Sequence, residues 1–298
     1  MVALVSASYS RRASWLILSW WISHCLLSSR GPCLNGEQIE RDVIVAGLRM
    51  PDFIIGGAPR CGTTWLYEVM SCHQAVYMAK PARPEPKFFL VDEIYKEGLA
   101  RYGEWFADAA DDQIAGEKST NYLESATAAE RIKRHLPGIK LIFMLRDPVS
   151  RAHSNYLWSR MNGLEHEDFQ TALSLEKQRE RDIPQAMRYA RPYAYFARGL
   201  YADMLKHYFA LFSRWQILCL RYEDIEEKPK ELLSAVWQFL GIEPHYEMVT
   251  DVGVVNASKI TTEGLAPDVK QMLQVAYEEP NRQLADLLGA EFKVWLYR

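Results

Sequence analysis

Apolar positions along the chain predict strands that alternate with helices. Three apolar runs have the length of buried strands and cover residues 52–56, 139–145 and 215–220. Each run is short and bounded by turn residues, which favours a strand over a helix. Apolar residues at helical spacing predict helices over residues 63–72, from 148 to about 162, and over 169–181, 199–212, 229–240 and 266–288. The stretch 80–85, rich in proline and arginine, is predicted to be a loop.

Strands that are each followed by a helix predict an α/β fold of three layers, in which helices flank a central, mainly parallel sheet. In such a sheet, the loops at the carboxyl ends of the strands form the site. Residues 1–48 precede the first predicted strand. We therefore divide the chain into an N-terminal extension, residues 1–48, and one domain over residues 49–298.

The extension carries a basic flank, Arg11 and Arg12, followed by an apolar run that ends at Leu27. The run is about 13 residues long, which is shorter than the ~20 residues that cross a bilayer as a helix. Three interpretations stay open. The segment is a weak signal-anchor, a surface segment that associates with a membrane through residues 12–27, or a dispensable stretch ahead of the domain.

Charge and cysteine content narrow the function classes only slightly. The net charge of −3 gives no general argument for nucleic-acid binding, so any anion site must be built locally. The five cysteines are odd in number and contain no C-x-x-C pair. This argues against a disulfide framework and a thiolate zinc site. We therefore expect a cytoplasmic protein, with membrane anchoring through the extension as the alternative. The oligomeric state is not indicated.

The first predicted strand leads into a glycine-bracketed loop, with the sequence PDFIIGGAPRCGTTWL over residues 51–66. Gly57 and Gly62 have the spacing of a phosphate-binding loop, but Thr63 stands where such loops carry lysine. A helix start presents backbone N–H groups, and Arg60 adds a fixed positive charge. The loop therefore predicts a cradle for a phosphate or sulfate group, and it makes the predicted fold P-loop-like.

Three other side chains of the loop have candidate roles. Trp65 offers a flat face for a purine, and Thr64 could hold a metal ion. Cys61 is either a nucleophile, with its pKa lowered by the helix N-terminus, or a small residue that fills space beside the loop backbone. We favour the second role for Cys61.

Further motifs support the interpretation of the loop. Residues 60–66 read Arg-Cys-Gly-Thr-Thr-Trp-Leu, and Arg146 at a predicted strand end is followed eight residues later by Ser154. In these two elements the chain resembles the sulfotransferases that use 3′-phosphoadenosine 5′-phosphosulfate (PAPS). The resemblance implies that Arg146 and Ser154 bind the 3′-phosphate. Looser matches implied to contact the nucleotide are Tyr222, within Tyr222-Glu223-Asp224-Ile225, and Lys259.

Two more segments, Glu85-Pro86-Lys87-Phe88-Phe89 and Glu117-Lys118-Ser119-Thr120, look similar to the heparan-sulfate-type sulfotransferases and their bacterial relatives. The resemblance implies that Glu85 is the base that deprotonates the acceptor. Arg60 and Lys118 are then implied to stabilise the charge of the transferred group, and Lys87 to approach the acceptor. Leu90 stands where these relatives often carry aspartate, so the glycan specificity stays open.

The sequence therefore predicts an enzyme that moves a sulfuryl group from PAPS to a hydroxyl or amine, with PAP as the product and no metal required. The acceptor is predicted to be a saccharide or another small molecule, and no nucleic acid is expected as a partner. A P-loop nucleotide kinase or NTPase-like phosphotransferase is the alternative, although the lysine missing at Thr63 argues against it. A non-catalytic binding protein on the same fold is a third possibility.

Overall fold

The computed structural model describes residues 48–246 and 264–297. Five strands of this part of the chain form one sheet, in which every pair of neighbours is parallel. The strands are β1 Phe53–Gly57, β2 Val76–Met78, β3 Ile114–Lys118, β4 Lys140–Leu145 and β5 Ile217–Arg221. Their order across the sheet is β2-β3-β1-β4-β5. The predicted α/β fold with a parallel sheet is confirmed.

Helices connect the strands. They are α1 Thr63–Ser71, α2 Asp92–Tyr95, α3 Gly98–Gly103, α4 Ala126–His135, α5 Pro148–Met161, α6 Phe169–Asp182, α7 Tyr201–Leu211, α8 Asp224–Glu227, α9 Pro229–Leu240 and α10 Pro267–Leu288. The start of α5 is set by Asp147, whose carboxylate accepts a hydrogen bond from the Ser150 N–H at 2.7 Å, and by Pro148 in the first turn. Gly241, in the left-handed conformation, ends α9 as predicted.

The predicted strands and helices are all present, with ends that move by one or two residues. The strands β2 and β3 and the helices α2, α3, α4 and α8 were not predicted. β2 has only three residues, and β3 reads Ile-Ala-Gly-Glu-Lys, which is not an apolar run. The polar half of β3 is nevertheless buried, because β3 lies between β1 and β2 in the sheet.

The position of β1 and β3 inside the sheet explains which residues these strands contain. Phe53, Ile54 and Ile55 are fully buried, as expected for a parallel strand covered on both faces. Gly116 of β3 lies against the Phe53 ring, and a Cβ at position 116 would stand 2.2 Å from that ring. The glycine therefore makes room for the aromatic side chain of the central strand.

Between residues 48 and 246 and between 264 and 297, no helix has both the length and the apolar character needed to cross a bilayer. The N-terminal run at 12–27 lies outside the described residues. The boundary between an extension, residues 1–48, and a domain, residues 49–298, stays a prediction.

Candidate active site

The loop between β1 and α1 has a backbone that only particular residues accommodate. Gly62 has φ +80°, and a Cβ there would stand 2.6 Å from Ile225 and 2.9 Å from Tyr222. Arg60, although not glycine, has φ +68°. Positive φ values of non-glycine residues cost free energy and concentrate at functional sites. The loop is therefore held in a tight curve by its surroundings.

Substitution of Gly62 by alanine is expected to destabilise the fold by about 1–3 kcal/mol, because both the positive φ and the contact with Tyr222 disfavour a Cβ. The measurement is the free energy of unfolding in urea. Gly138→Ala is the matched control, since a Cβ at Gly138 meets no atom within 4 Å. Equal stability of the two variants would contradict a strained loop.

Two arginines and a serine that the sequence analysis named lie together at the loop. The Arg60 Nε donates a hydrogen bond to the Ser154 Oγ at 3.2 Å. The Arg146 Nη1 donates to the Arg60 carbonyl at 3.4 Å. Tyr222, which follows β5, places its ring 4.3 Å from the Arg146 guanidinium carbon. The Ser154 side chain, two turns along α5, thus lies on the same side as both guanidinium groups.

The guanidinium groups of Arg60, Arg146 and Arg83 lie close enough at the loop to repel one another. Burial, and next the charge of Arg146, lower the pKa of Arg60. Arg83 adds a smaller effect in the same direction, and its Nη2 lies 3.5 Å from the Thr64 Oγ1. An anion bound at the loop would relieve this repulsion. The loop therefore fits a phosphate or a phosphosulfate.

On the other side of the loop, the predicted base and the predicted cation are in contact. The Lys118 Nζ lies 2.5 Å from the Glu85 Oε1, and the two side chains are 1% and 12% exposed. Thr120 donates its backbone N–H to the Glu85 Oε2 at 3.1 Å and its hydroxyl to the same oxygen at 3.1 Å. Glu85 is thus fixed at the carboxyl end of β3, with part of its surface open to an acceptor.

The sheet register brings these two groups of side chains together. Lys118 pairs with Ile55 of β1, and the N–H of Ser119 donates to the Ile55 carbonyl at 3.1 Å. On the other flank, the Ala58 N–H donates to the Met144 carbonyl at 2.7 Å. Lys118, the loop, Arg146 and Tyr222 therefore follow one another along the carboxyl edge of β3, β1, β4 and β5.

Of three further predicted residues, Cys61 has its favoured role, Trp65 is placed differently, and Lys259 is not described. The Cys61 thiol is fully buried, lies 3.7 Å from the Tyr201 hydroxyl, and has a pKa raised by burial to about 11. A thiol with this pKa is not a nucleophile at neutral pH, which agrees with the space-filling role. Trp65 is 4% exposed and packs in the core, so the expectation that its face is open to a purine is not met. Lys259 lies outside the described residues.

The motif Glu117-Lys118-Ser119-Thr120 contains Glu117, to which the sequence assigned no role. Its side chain is fully buried, and its carboxylate accepts hydrogen bonds from the Tyr102 hydroxyl at 2.7 Å and the Ser119 hydroxyl at 2.9 Å. The Ser119 Oγ in turn accepts the Lys87 N–H at 2.9 Å. This chain of hydrogen bonds ties the end of β3 to the loop that carries Glu85. No signal in the sequence around Glu117, which is followed by Lys118, Ser119 and Thr120, marked it as buried.

Burial raises the pKa of Glu117 to about 7 from an ordinary value of 4.5. A raised acid pKa in the folded state means stability that is complete below pH 4.5 and is lost as the pH rises through about 7. As the pH rises from 4.5 to about 7, the free energy of unfolding of the wild type should fall by up to roughly 3 kcal/mol relative to that of Glu117→Gln. Unfolding titrations at several pH values test this. The exposed control Glu130→Gln should show the same pH dependence of stability as the wild type. The same pH dependence in Glu117→Gln would contradict a raised pKa of Glu117.

In the part of the chain that the structure describes, no three His, Cys, Asp or Glu side chains are grouped as ligands of a metal ion. Whether the reaction needs a metal stays a prediction from the sequence.

Comparison with known proteins identifies a family model and several relatives that are similar to this chain. A family model described as the sulfotransferase domain matches residues 50–256. Human heparan sulfate glucosamine 3-O-sulfotransferase 3B1 is 31% identical over 204 residues, which cover 68% of this chain and 48% of the relative. Mouse bifunctional heparan sulfate N-deacetylase/N-sulfotransferase 4 is 27% identical over 208 residues, which cover 66% of this chain and 23% of the relative. The chain thus spans about half or less of these relatives.

Solved structures agree with this placement. A sulfotransferase from Alicyclobacillus acidocaldarius superposes with a TM-score of 0.70 at 26% identity, covering 84% of this chain and 100% of that one. A mouse sulfotransferase complexed with PAP has a TM-score of 0.52 at 15% identity, covers 83% and 88% of the two chains, and shows the likeness of fold alone. Since the family model covers residues 50–256 and the fold agrees with it, the chain belongs to the sulfotransferase family.

Proposed function

We propose that this protein transfers the sulfuryl group of PAPS to a hydroxyl or an amine of a saccharide or other small acceptor. The observation that carries the proposal is the Lys118–Glu85 pair, 2.5 Å apart, beside a loop that presents Arg60. A cation and a carboxylate at this place supply the two functions that in-line transfer needs. One stabilises developing negative charge, and the other removes a proton.

The nucleotide end of the site is assigned from its charges and backbone donors. The N–H groups of the loop and of the first turn of α1, from Cys61 to Thr64, would hold the 5′-phosphate and sulfate with Arg60. Arg146 and Ser154 would hold the 3′-phosphate. Tyr222, half-buried and stacked on Arg146, would border the nucleoside in place of the buried Trp65. Lys259 is kept as a candidate from the sequence.

The protein's own groups would act as follows. The Glu85 carboxylate takes the proton of the acceptor hydroxyl or amine. Lys118 moves its ammonium from Glu85 towards the bridging oxygen, which frees the carboxylate as negative charge builds on the leaving phosphate. Arg60 holds the oxygens of the sulfuryl group in line with the acceptor. PAPS supplies the activated sulfuryl group, and PAP leaves as the product.

The family match favours sulfuryl transfer over the alternative of a P-loop kinase or NTPase. Residue chemistry points the same way, because Thr63 occupies the lysine position of an NTPase loop. The proposal includes transfer without a metal ion, which rests on the sequence. It also includes a cytoplasmic location, with membrane association through residues 12–27 as the alternative.

Ligand-induced stabilisation separates the two functions. Adenosine 3′,5′-bisphosphate at 100 times its Kd is expected to raise the free energy of unfolding by about 2.7 kcal/mol, whereas ATP with Mg²⁺ should give little. Arg146→Ala should abolish most of the effect, because Arg146 is the proposed 3′-phosphate ligand. Stabilisation by ATP with Mg²⁺ alone would overturn the proposed function.

A further inference from the structure

The described residues enclose a cleft of about 870 Å³ next to the proposed base. One end is marked by Asn121, which follows the Thr120 that holds Glu85. The same end carries Tyr189, whose ring centroid lies 5.0 Å from the Lys87 ammonium. The cleft therefore adjoins the segments that carry Glu85 and Lys87, and its volume is that of an ordinary small-ligand site.

Most charged groups around the cleft neutralise one another. The Arg191 guanidinium lies 3.3 Å from the Glu124 carboxylate and 3.1 Å from that of Glu180. Glu124 is also 2.9 Å from Arg198. Asp92, which also lines the cleft, pairs with Arg131 at 2.6 Å. These contacts leave Arg191 and Asp92 with little net attraction for a charged ligand.

The remaining charges on the walls have opposite signs. Within residues 48–246 and 264–297, Arg188 and Glu93 make no ion pair, and both are exposed. When the paired neighbours are counted with the walls, the carboxylates of Asp92, Glu93, Glu124 and Glu180 balance the guanidinium groups of Arg131, Arg188, Arg191 and Arg198, and Lys87 beside Tyr189 adds one positive charge. A cleft that concentrates a polyanion needs walls of a single positive sign, and this cleft lacks them.

Uncharged groups complete the walls. Asn121, Ser125 and Gln185 offer amide and hydroxyl groups. Tyr189 is 39% exposed and supplies an aromatic surface. Amide and hydroxyl groups beside an aromatic ring suit the hydroxyls and the C–H face of a sugar.

We propose that the acceptor is an uncharged oligosaccharide bound in this cleft, and not a polyanionic glycan of the kind named in the relatives. The proposal rests on the proposed function, because Glu85, held by the Thr120 that precedes Asn121 of the cleft, must be the group that receives the acceptor proton.

The test measures transfer of labelled sulfate from PAPS to two groups of acceptors. The uncharged group contains cellotriose, maltotriose and N,N′,N″-triacetylchitotriose, and the polyanion is a heparosan hexasaccharide. We expect sulfation of at least one uncharged trisaccharide and no saturable transfer to heparosan. The KM of the uncharged acceptor should change less than about twofold between about 50 and about 300 mM NaCl, since no net charge is neutralised on binding.

Variants of Tyr189 locate the acceptor. Tyr189→Ala is expected to raise the KM of the trisaccharide about tenfold with kcat little changed, while Tyr189→Phe keeps the ring and should stay near the wild type. Arg134→Ala, an exposed arginine of α4 away from the cleft walls, is the control expected to leave both constants unchanged.

The outcomes separate the two proposals. Heparosan as the better acceptor, with a KM that rises steeply with salt, overturns the uncharged acceptor. So does a protein that binds adenosine 3′,5′-bisphosphate but sulfates none of the three trisaccharides, or a Tyr189→Ala variant with an unchanged KM. A protein that binds no adenosine 3′,5′-bisphosphate counts against the proposed function itself.

Discussion

Replacement of Glu85 by glutamine is expected to lower kcat by about 10²–10⁴-fold. An amide cannot accept the acceptor proton, whereas the loop and Arg146 that hold the nucleotide are untouched. The Kd of adenosine 3′,5′-bisphosphate should therefore stay near the wild-type value. Single-turnover transfer from labelled PAPS gives the rate, and calorimetric titration gives the Kd.

The same change leaves the nearly buried Lys118 ammonium without its carboxylate, which costs about 3–5 kcal/mol of stability when a buried pair loses one partner. Thermal unfolding must accordingly accompany the rates. Glu85→Asp, which keeps a carboxylate on a shorter side chain, should be more active than Glu85→Gln. Glu231→Gln, on the exposed face of α9, is the matched control. A folded Glu85→Gln protein with normal turnover would remove Glu85 as the base.

Lys118→Met is the second change with a large expected effect, a fall in kcat of about 10²–10³-fold. Methionine keeps the length and the apolar stem of the side chain but cannot stabilise charge on the bridging oxygen. Adenosine 3′,5′-bisphosphate keeps the bridging oxygen as an oxygen of its 5′-phosphate, so its Kd is expected to rise, but by a smaller factor than kcat falls. The comparison of kcat with this Kd separates a role in the transition state from a role in nucleotide binding.

Lys230→Met, on the exposed surface of α9, is the corresponding control and should leave both values unchanged. If Lys118→Met weakened the binding of adenosine 3′,5′-bisphosphate and left kcat normal, Lys118 would belong to the nucleotide site and not to the transfer step.

The sequence predicted the parts of the site that depend on local pattern. An apolar strand, two glycines and a following helix are adjacent in the chain, so the loop at residues 57–62 could be recognised without any distant contact. Arg146 and Ser154 lie eight residues apart on one strand–helix unit, and helical geometry places them on one side. In the structure, the Ser154 hydroxyl accepts a hydrogen bond from Arg60, and Arg146 donates to the Arg60 carbonyl.

Features that depend on distant partners were missed or placed wrongly. Trp65 follows the loop directly, and its open face was a reasonable expectation, but its ring packs in the core. β3 was not predicted because Glu117 and Lys118 are polar. Both are buried because β1 and β2 pair with the strand on either side. No pattern within β3 reports that burial.

By itself, the sequence determined the α/β fold, the glycine-bracketed loop with Arg60, and the order of motifs that marks the family. These follow from apolar spacing, glycine positions and residue types that act over a few neighbouring positions. Only the tertiary structure decided that Lys118 contacts Glu85, that burial raises the pKa of Glu117, and that Arg191 is neutralised by Glu124 and Glu180. Charge interactions and burial depend on distance in space, and that distance is set by the sheet order and not by separation along the chain.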